Sequence, residues 1–124
     1  MELKPHVVLR DAVRHYPEYE AFVSQFGTHV ISHKGIELSF YDIQRVFRAC
    51  FAIENNNELT FPNEDPFKLS RRKKEAIFWN VIQDEKQKDV AERMGITTVS
   101  VGQYVEAGFK QVSRIIFEAE VLDD

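Results

Sequence analysis

The chain of 124 residues has a single cysteine, Cys50, so no disulfide can form within it and no cysteine-based zinc cluster can assemble. Long apolar runs are missing as well. No stretch approaches the roughly 18 consecutive apolar residues that a membrane-spanning helix needs. The opening MELKPHVVLR has an acid at position 2 and no extended apolar segment, so it is not expected to act as a secretory signal. A cytoplasmic protein without membrane contact is the expectation. Catalytic patterns are also absent. There is no Ser-His-Asp order, no glycine-rich phosphate loop and no paired-carboxylate arrangement, so neither an enzyme nor a bound cofactor is expected.

An overall positive charge is lacking too: the formal net charge is -4. The distribution matters more than the sum. Residues 67–114 hold ten Lys/Arg against six Asp/Glu, residues 1–66 hold six against ten, and residues 115–124 hold none against four. A basic segment between acidic ones suits a local phosphate-facing surface, although a variable solvated surface would look similar. What is present in quantity is core-forming material, with 44% hydrophobic residues and ten phenylalanines.

Periodicity predicts a mainly α fold. Val8, Leu9, Ala12, Val13 and Tyr16 recur at helical spacing, and Pro17 suits the first turn of a helix that Gly27 can end. Residues 28–38 form the one β-like stretch, a possible small hairpin turning at His33-Lys34-Gly35. Ser39 with Asp42 resembles a capping box for a helix carrying Ile43, Val46, Phe47, Cys50 and Phe51. That helix should stop near Asn55-Asn56-Asn57. Residues 55–66, with Pro62 and Pro66, form the best linker candidate, which divides the chain into a small acidic helical region, 1–66, of unassigned role and a region 67–124. In the second region Ser70 can cap a helix running to about Gln83. Asp84-Glu85 should then sit near the start of another that ends at Gly95, and a last helix should run from Thr97–Thr98 to Ala119.

The densest pattern is Val90-Ala91-x-x-Met94-Gly95-Ile96, followed by Val101 and Tyr104. Two helices crossing through a tight turn need a small residue at closest approach, which Ala91 supplies. The turn needs a residue that tolerates positive φ, which Gly95 supplies. Thr97 or Thr98 can cap the second helix. An ordinary helical hairpin ending at Gly95 is the plainer alternative. Residues 69–114 resemble region 4 of sigma-70-type factors, and most of all the small sigma-region-4-like regulators encoded by phages and prophages of Gram-positive bacteria. The residues carrying the likeness are Leu69-Ser70, Arg71-Arg72 and Glu75, then Asp89 through Ile96, Val101, Phe109 and Val112. The resemblance implies a helix-turn-helix that reads the major groove of double-stranded DNA, with RNA polymerase as a further partner. Sigma regions 1 to 3 are not recognisable in residues 1–66.

With Val101, Tyr104, Val105 and Phe109 facing the core, Thr98, Val99, Ser100, Gly102, Gln103 and Glu106 become the base-reading candidates. Gly102 would let the backbone approach DNA closely, and Glu106 reads equally as a solvated acid. Arg71, Arg72, Lys73, Lys74, Lys86, Lys88 and Arg93 are the phosphate candidates, although a run such as RRKK also suits a solvated helix start. The helix 98–106 contains no Lys or Arg. That favours a second possibility, a protein-interaction module that binds RNA polymerase or a sigma factor with little DNA contact. His29 and His33 stand four apart, but on an extended stretch with no third ligand near, so no metal site is expected. Apolar Val112, Ile115, Ile116, Ala119 and Val121 lie beyond what a helix-turn-helix needs, and suggest a homodimer seam. The acidic front is not expected to touch DNA.

Overall fold

The computed structural model describes residues 4–56 and 58–118. The chain is mostly helical with two small hairpins. In order it forms α1 (Pro5–Arg14), α2 (Tyr16–Phe26), β1 (Val30–His33), β2 (Ile36–Ser39), α3 (Phe40–Cys50), β3 (Ile53–Asn55), β4 (Glu58–Thr60), α4 (Arg71–Ile77), α5 (Gln87–Met94) and α6 (Thr98–Ser113). One π-type stretch, Phe78–Ile82, prolongs α4, and another, Arg114–Glu118, prolongs α6.

Local chemistry explains most boundaries. α2 opens with proline in its first turn and closes on Gly27 at φ 70°. Lys34 and Gly35, at φ 51° and 80°, turn the first hairpin, the two-residue geometry whose twist matches paired strands. His33 therefore lies in β1, opposite Ile36, and not in the turn. Ser39 sits at the N-cap of α3, but its side chain makes no capping hydrogen bond. Asp42 pairs instead with Arg45.

The expected linker is structured. α3 ends at Cys50, and Phe51 is already extended, at φ -85°, ψ 103°. The chain then makes a second antiparallel hairpin, pairing Ile53 with Thr60, Glu54 with Leu59 and Asn55 with Glu58. Asn56, at φ 53°, takes the left-handed conformation that asparagine tolerates. Asn55 and Asn56 thus serve a hairpin and do not stop a helix. Asp65 organises the loop that leads into α4. Its carboxylate accepts from the backbone N–H of Phe67 and Leu69 at 2.9 and 2.8 Å, and lies 3.3 Å from the Lys74 ammonium.

Residues on both sides of 55–66 share one continuous buried cluster. It runs from Val8, Leu9 and Val13 through Ile43 and Val46 to Ile77, Val90, Val101, Phe109 and Val112. α6 is the axis of this core, packing against α1, α4 and α5. Much of its apolar surplus is consumed inside the chain. Val112 and Ile116 are buried, and of the described seam residues Ile115 alone is exposed. Ala119 and Val121 lie outside the described residues. Cys50 is fully buried, and desolvation pushes its thiol up to about 12, as suits an inert core residue.

Gly108 lies where α6 packs against α4. A Cβ there would lie 2.8 Å from Cδ1 of Ile77, a fully buried side chain of α4. Gly108→Val is therefore expected to destabilise by about 3 kcal/mol through overpacking, seen as a lower urea midpoint at unchanged slope. A loss under about 0.5 kcal/mol would show that α4 and α6 separate freely.

The first hairpin is fastened to α1 by polar contacts. Nε2 of His33 lies 2.9 Å from Asp11, Lys34 lies 2.7 Å from the same carboxylate, and the Tyr19 hydroxyl bonds the other ring nitrogen of His33. The Lys34 hydrogen bond, with help from His33 and against partial burial, holds the Asp11 carboxyl at about 2 instead of 3.8. A depressed carboxyl contributes stability that is complete above its unfolded value and is lost as pH falls through its folded one. Wild type should lose about 2 kcal/mol between pH 4 and 2 from this group, measured by denaturation at each pH. Asp11→Asn should be less stable at neutral pH and flatter across that window.

Candidate nucleic-acid interface

α5 and α6 are joined by three residues, and each has a fixed task. Gly95 ends α5 in the left-handed region, at φ 66°, ψ 37°. Its N–H donates to the carbonyl of Glu92 at 3.4 Å, and the N–H of Ile96 donates to that of Ala91 at 3.0 Å. This crossed pair satisfies carbonyls that a helix end otherwise leaves open. Thr97 then caps α6, its hydroxyl oxygen accepting from the backbone N–H of Ser100 at 3.1 Å. The acids expected near the start of α5 lie just ahead of it. Asp84 and Glu85 precede Lys86, the N-cap, and Asp89 is the acid of the first turn.

One face of α6 is welded to the core through Val101, Val105, Phe109 and Val112. The opposite face is exposed. Val99, Gln103, Glu106 and Lys110 recur at spacings of four, three and four, and all are exposed. Val99 is an apolar side chain left 69% exposed at the head of this stripe. Thr98 is exposed beside it, and Ser100 is half-buried by its bond to Thr97. Gly102 has a nearer neighbour than solvent: a Cβ there would meet the Gln87 side chain of α5 at 3.5 Å. Its place is the seam between α5 and α6, where a small residue suits the contact.

The basic candidates divide into two groups. Among those occupied within the fold, Arg71 donates to the Leu59 carbonyl at 2.7 Å and lies 3.1 Å from Glu75. Arg72 donates to the Met94 carbonyl at the end of α5 at 3.0 Å, and Lys73 to Gln111 of α6 at 2.9 Å. Lys74 holds Asp65. Arg93 stacks over Trp79 at 4.1 Å and pairs with Glu85 at 2.9 Å. The run RRKK is thus a clasp that joins β4, the loop before α4, α5 and α6. Lys86 and Lys88, at the start of α5, are exposed and make no ion pair among the described residues.

Two features escaped sequence reasoning. Lys110 continues the outward stripe of α6 and lies 2.9 Å from Glu106. Its four-residue spacing from Glu106 was a legible signal. The start of α1 also reaches this stripe, with His6 4.0 Å from Glu106, a juxtaposition that no local pattern announces. Elsewhere, Phe47, Phe51, Ile53 and Pro62, flanked by Arg45 and Arg48, line an open groove of about 980 Å³. His29 and His33 do not converge: His29 stacks on Tyr41, whereas His33 bonds Asp11.

Set against protein-family models, curated proteins and solved structures, the chain finds no match. No described helix is long and apolar enough to cross a membrane.

Proposed function

We propose that this chain is a sigma-region-4-like, DNA-binding transcription regulator, in which α5 and α6 form a helix-turn-helix and α6 enters the major groove. The observation that carries the reading is the division of α6 into a buried face and a free one. Val101, Val105, Phe109 and Val112 are held in the core, while Val99 and Gln103 stand clear of it. A helix fixed on one side and open on the other, after a three-residue turn, has the form that groove-reading helices require. Lys86 and Lys88 at the head of α5 supply phosphate contacts that position it.

The test is selection of bound duplexes from a random-sequence pool, followed by titration of the selected site at rising salt. A recurring site, with affinity that falls steeply with salt, supports the reading. No enrichment and no salt-dependent binding overturn it.

A second reading is favoured by one specific finding: each of the four side chains of the RRKK run has a partner within the chain. With those side chains held in place, the chain would act as an interaction module binding RNA polymerase or a sigma factor. The free surface it would use includes the groove in which Phe51 and Ile53 are exposed at 44% and 69%. Binding to polymerase that persists in the absence of DNA and at high salt distinguishes this reading from the first.

A further inference from the structure

The acidic front region brings the head of α1 to the outward stripe of α6. Lys4 is the N-cap of α1, and His6 follows in its first turn. α1 packs against α6, and His6 lies 4.0 Å from Glu106, which brings the head of α1 and its exposed Lys4 beside the outward stripe of α6. The one acid in the group, Glu106, is drawn down first by the Lys110 hydrogen bond and further by His6 and Lys4. Two permanent cations, Lys110 and Lys4, therefore act on a single carboxylate, which lies 2.9 Å from Lys110 on its own helix. Lys4, Glu106 and Lys110 are all exposed.

Position makes this group more than a solvated cluster. Lys110 lies on the same outward line as Val99 and Gln103, seven residues behind Gln103, or about 10 Å along the axis. The major groove is about 8.5 Å deep. Groove-reading helices contact base edges with their N-terminal residues. With Gln103 at a base edge, Lys110 lies two turns further along the helix, away from the base-reading N-terminal end, and the start of α1 flanks it.

Building on the DNA-binding reading above, we infer that Lys110 of α6 and Lys4 at the head of α1 form a phosphate-binding edge. This edge seats one backbone strand beside the groove that α6 enters. α1 is then part of the DNA interface despite the negative sum of its region. Lys86 and Lys88 hold the strand on the α5 side, so the two edges bracket α6. Lys110, 2.9 Å from Glu106, shields the strand from that carboxylate.

The experiment uses the full chain and a fluorescein-labelled, mixed-sequence duplex of about three helical turns, since phosphate contacts do not depend on sequence. Affinity is measured by anisotropy from about 50 to about 200 mM salt. Lys4→Ala and Lys110→Ala should each reduce the slope of log affinity against log salt by about one. Each should weaken binding roughly 8-fold at 0.1 M salt, one counterion's worth, and Lys110→Arg should restore the slope. An unchanged slope in both alanine variants, with wild type binding steeply, overturns the edge and leaves the DNA-binding reading standing. A loss of slope in Lys110→Ala alone removes α1 from the interface and overturns the inference. Absence of salt-dependent binding by the wild-type chain overturns both.

Discussion

Asp65→Ala should cost about 3–5 kcal/mol, the usual loss when one partner of a buried ion pair is removed. That corresponds to a fall of roughly 10–20 °C in the melting temperature of a domain this size. The side chain of Asp65 is only 8% exposed, and that of Lys74 only 15%. The carboxylate also terminates two backbone donors, on Phe67 and Leu69. Alanine would leave those two N–H groups and the ammonium without an acceptor in a place water reaches poorly, and each unmet donor carries its own desolvation penalty. Phe67 and Leu69 are core residues, so the damage would extend into the packing under α4. Asp65→Asn keeps one acceptor oxygen and should lose less. Urea denaturation of the three proteins is the measurement. A loss below about 1 kcal/mol for Asp65→Ala would mean that the loop 65–70 is held by its apolar side chains alone.

Gln103→Ala should relax preference at one base position by about 1–3 kcal/mol, the worth of one bidentate base contact. Lys88→Ala should weaken all sequences alike. Gln103 stands two residues after the buried Val101, which turns it about 200° from the core, and it is exposed. Its amide offers both a donor and an acceptor, the pair that matches the major-groove edge of adenine. Lys88 lies on α5, off the reading helix, and reaches backbone phosphate only. Its removal should lower the salt slope by about one and leave preference intact. Titration against a selected site and its single-base variants at two salt concentrations decides between them. Equal weakening at every site by Gln103→Ala would show that the reading face of α6 is turned elsewhere. Arg72 is no comparison for Lys88, because its guanidinium holds the end of α5 through Met94, and its removal would act through folding.

The segments that were legible in the sequence share one property: their chemistry is local. Gly27 and Gly95 end helices because a left-handed turn can be read from one residue and its apolar flanks. The buried faces of α1, α3 and α6 follow from apolar spacing near 3.6 residues. The second hairpin was obscured because Asn55, Asn56 and Pro62 read as loop residues. Its strands are only three residues long, and Leu59 is the one strand residue of this hairpin that is buried. A strand that short carries too few alternations to declare a period.

Charge was the least legible quantity. RRKK reads in the sequence as a free basic run, and Asp84-Glu85 as acids for a helix start. The fold instead assigns Arg71 to a carbonyl of β4, Arg72 to the end of α5, Lys73 to α6 and Lys74 to Asp65. Glu85 goes to Arg93. Each partner lies between 8 and 38 residues away in the chain, at a distance that only folding closes. The same holds at the other end of α6, where the charges of Lys4 and His6 act on Glu106 from the far end of the chain.

By itself, then, the sequence determined the helical character of the chain, the turn at Gly95, a threonine cap at 97 or 98 and which face of α6 must be buried, because these depend on backbone conformation and apolar period. Only the tertiary structure decided which cations remain free to meet a ligand, that the regions on either side of 55–66 share a core, and that α1 abuts the outward stripe of α6. Which partners a charged side chain meets is set by the packing of distant segments.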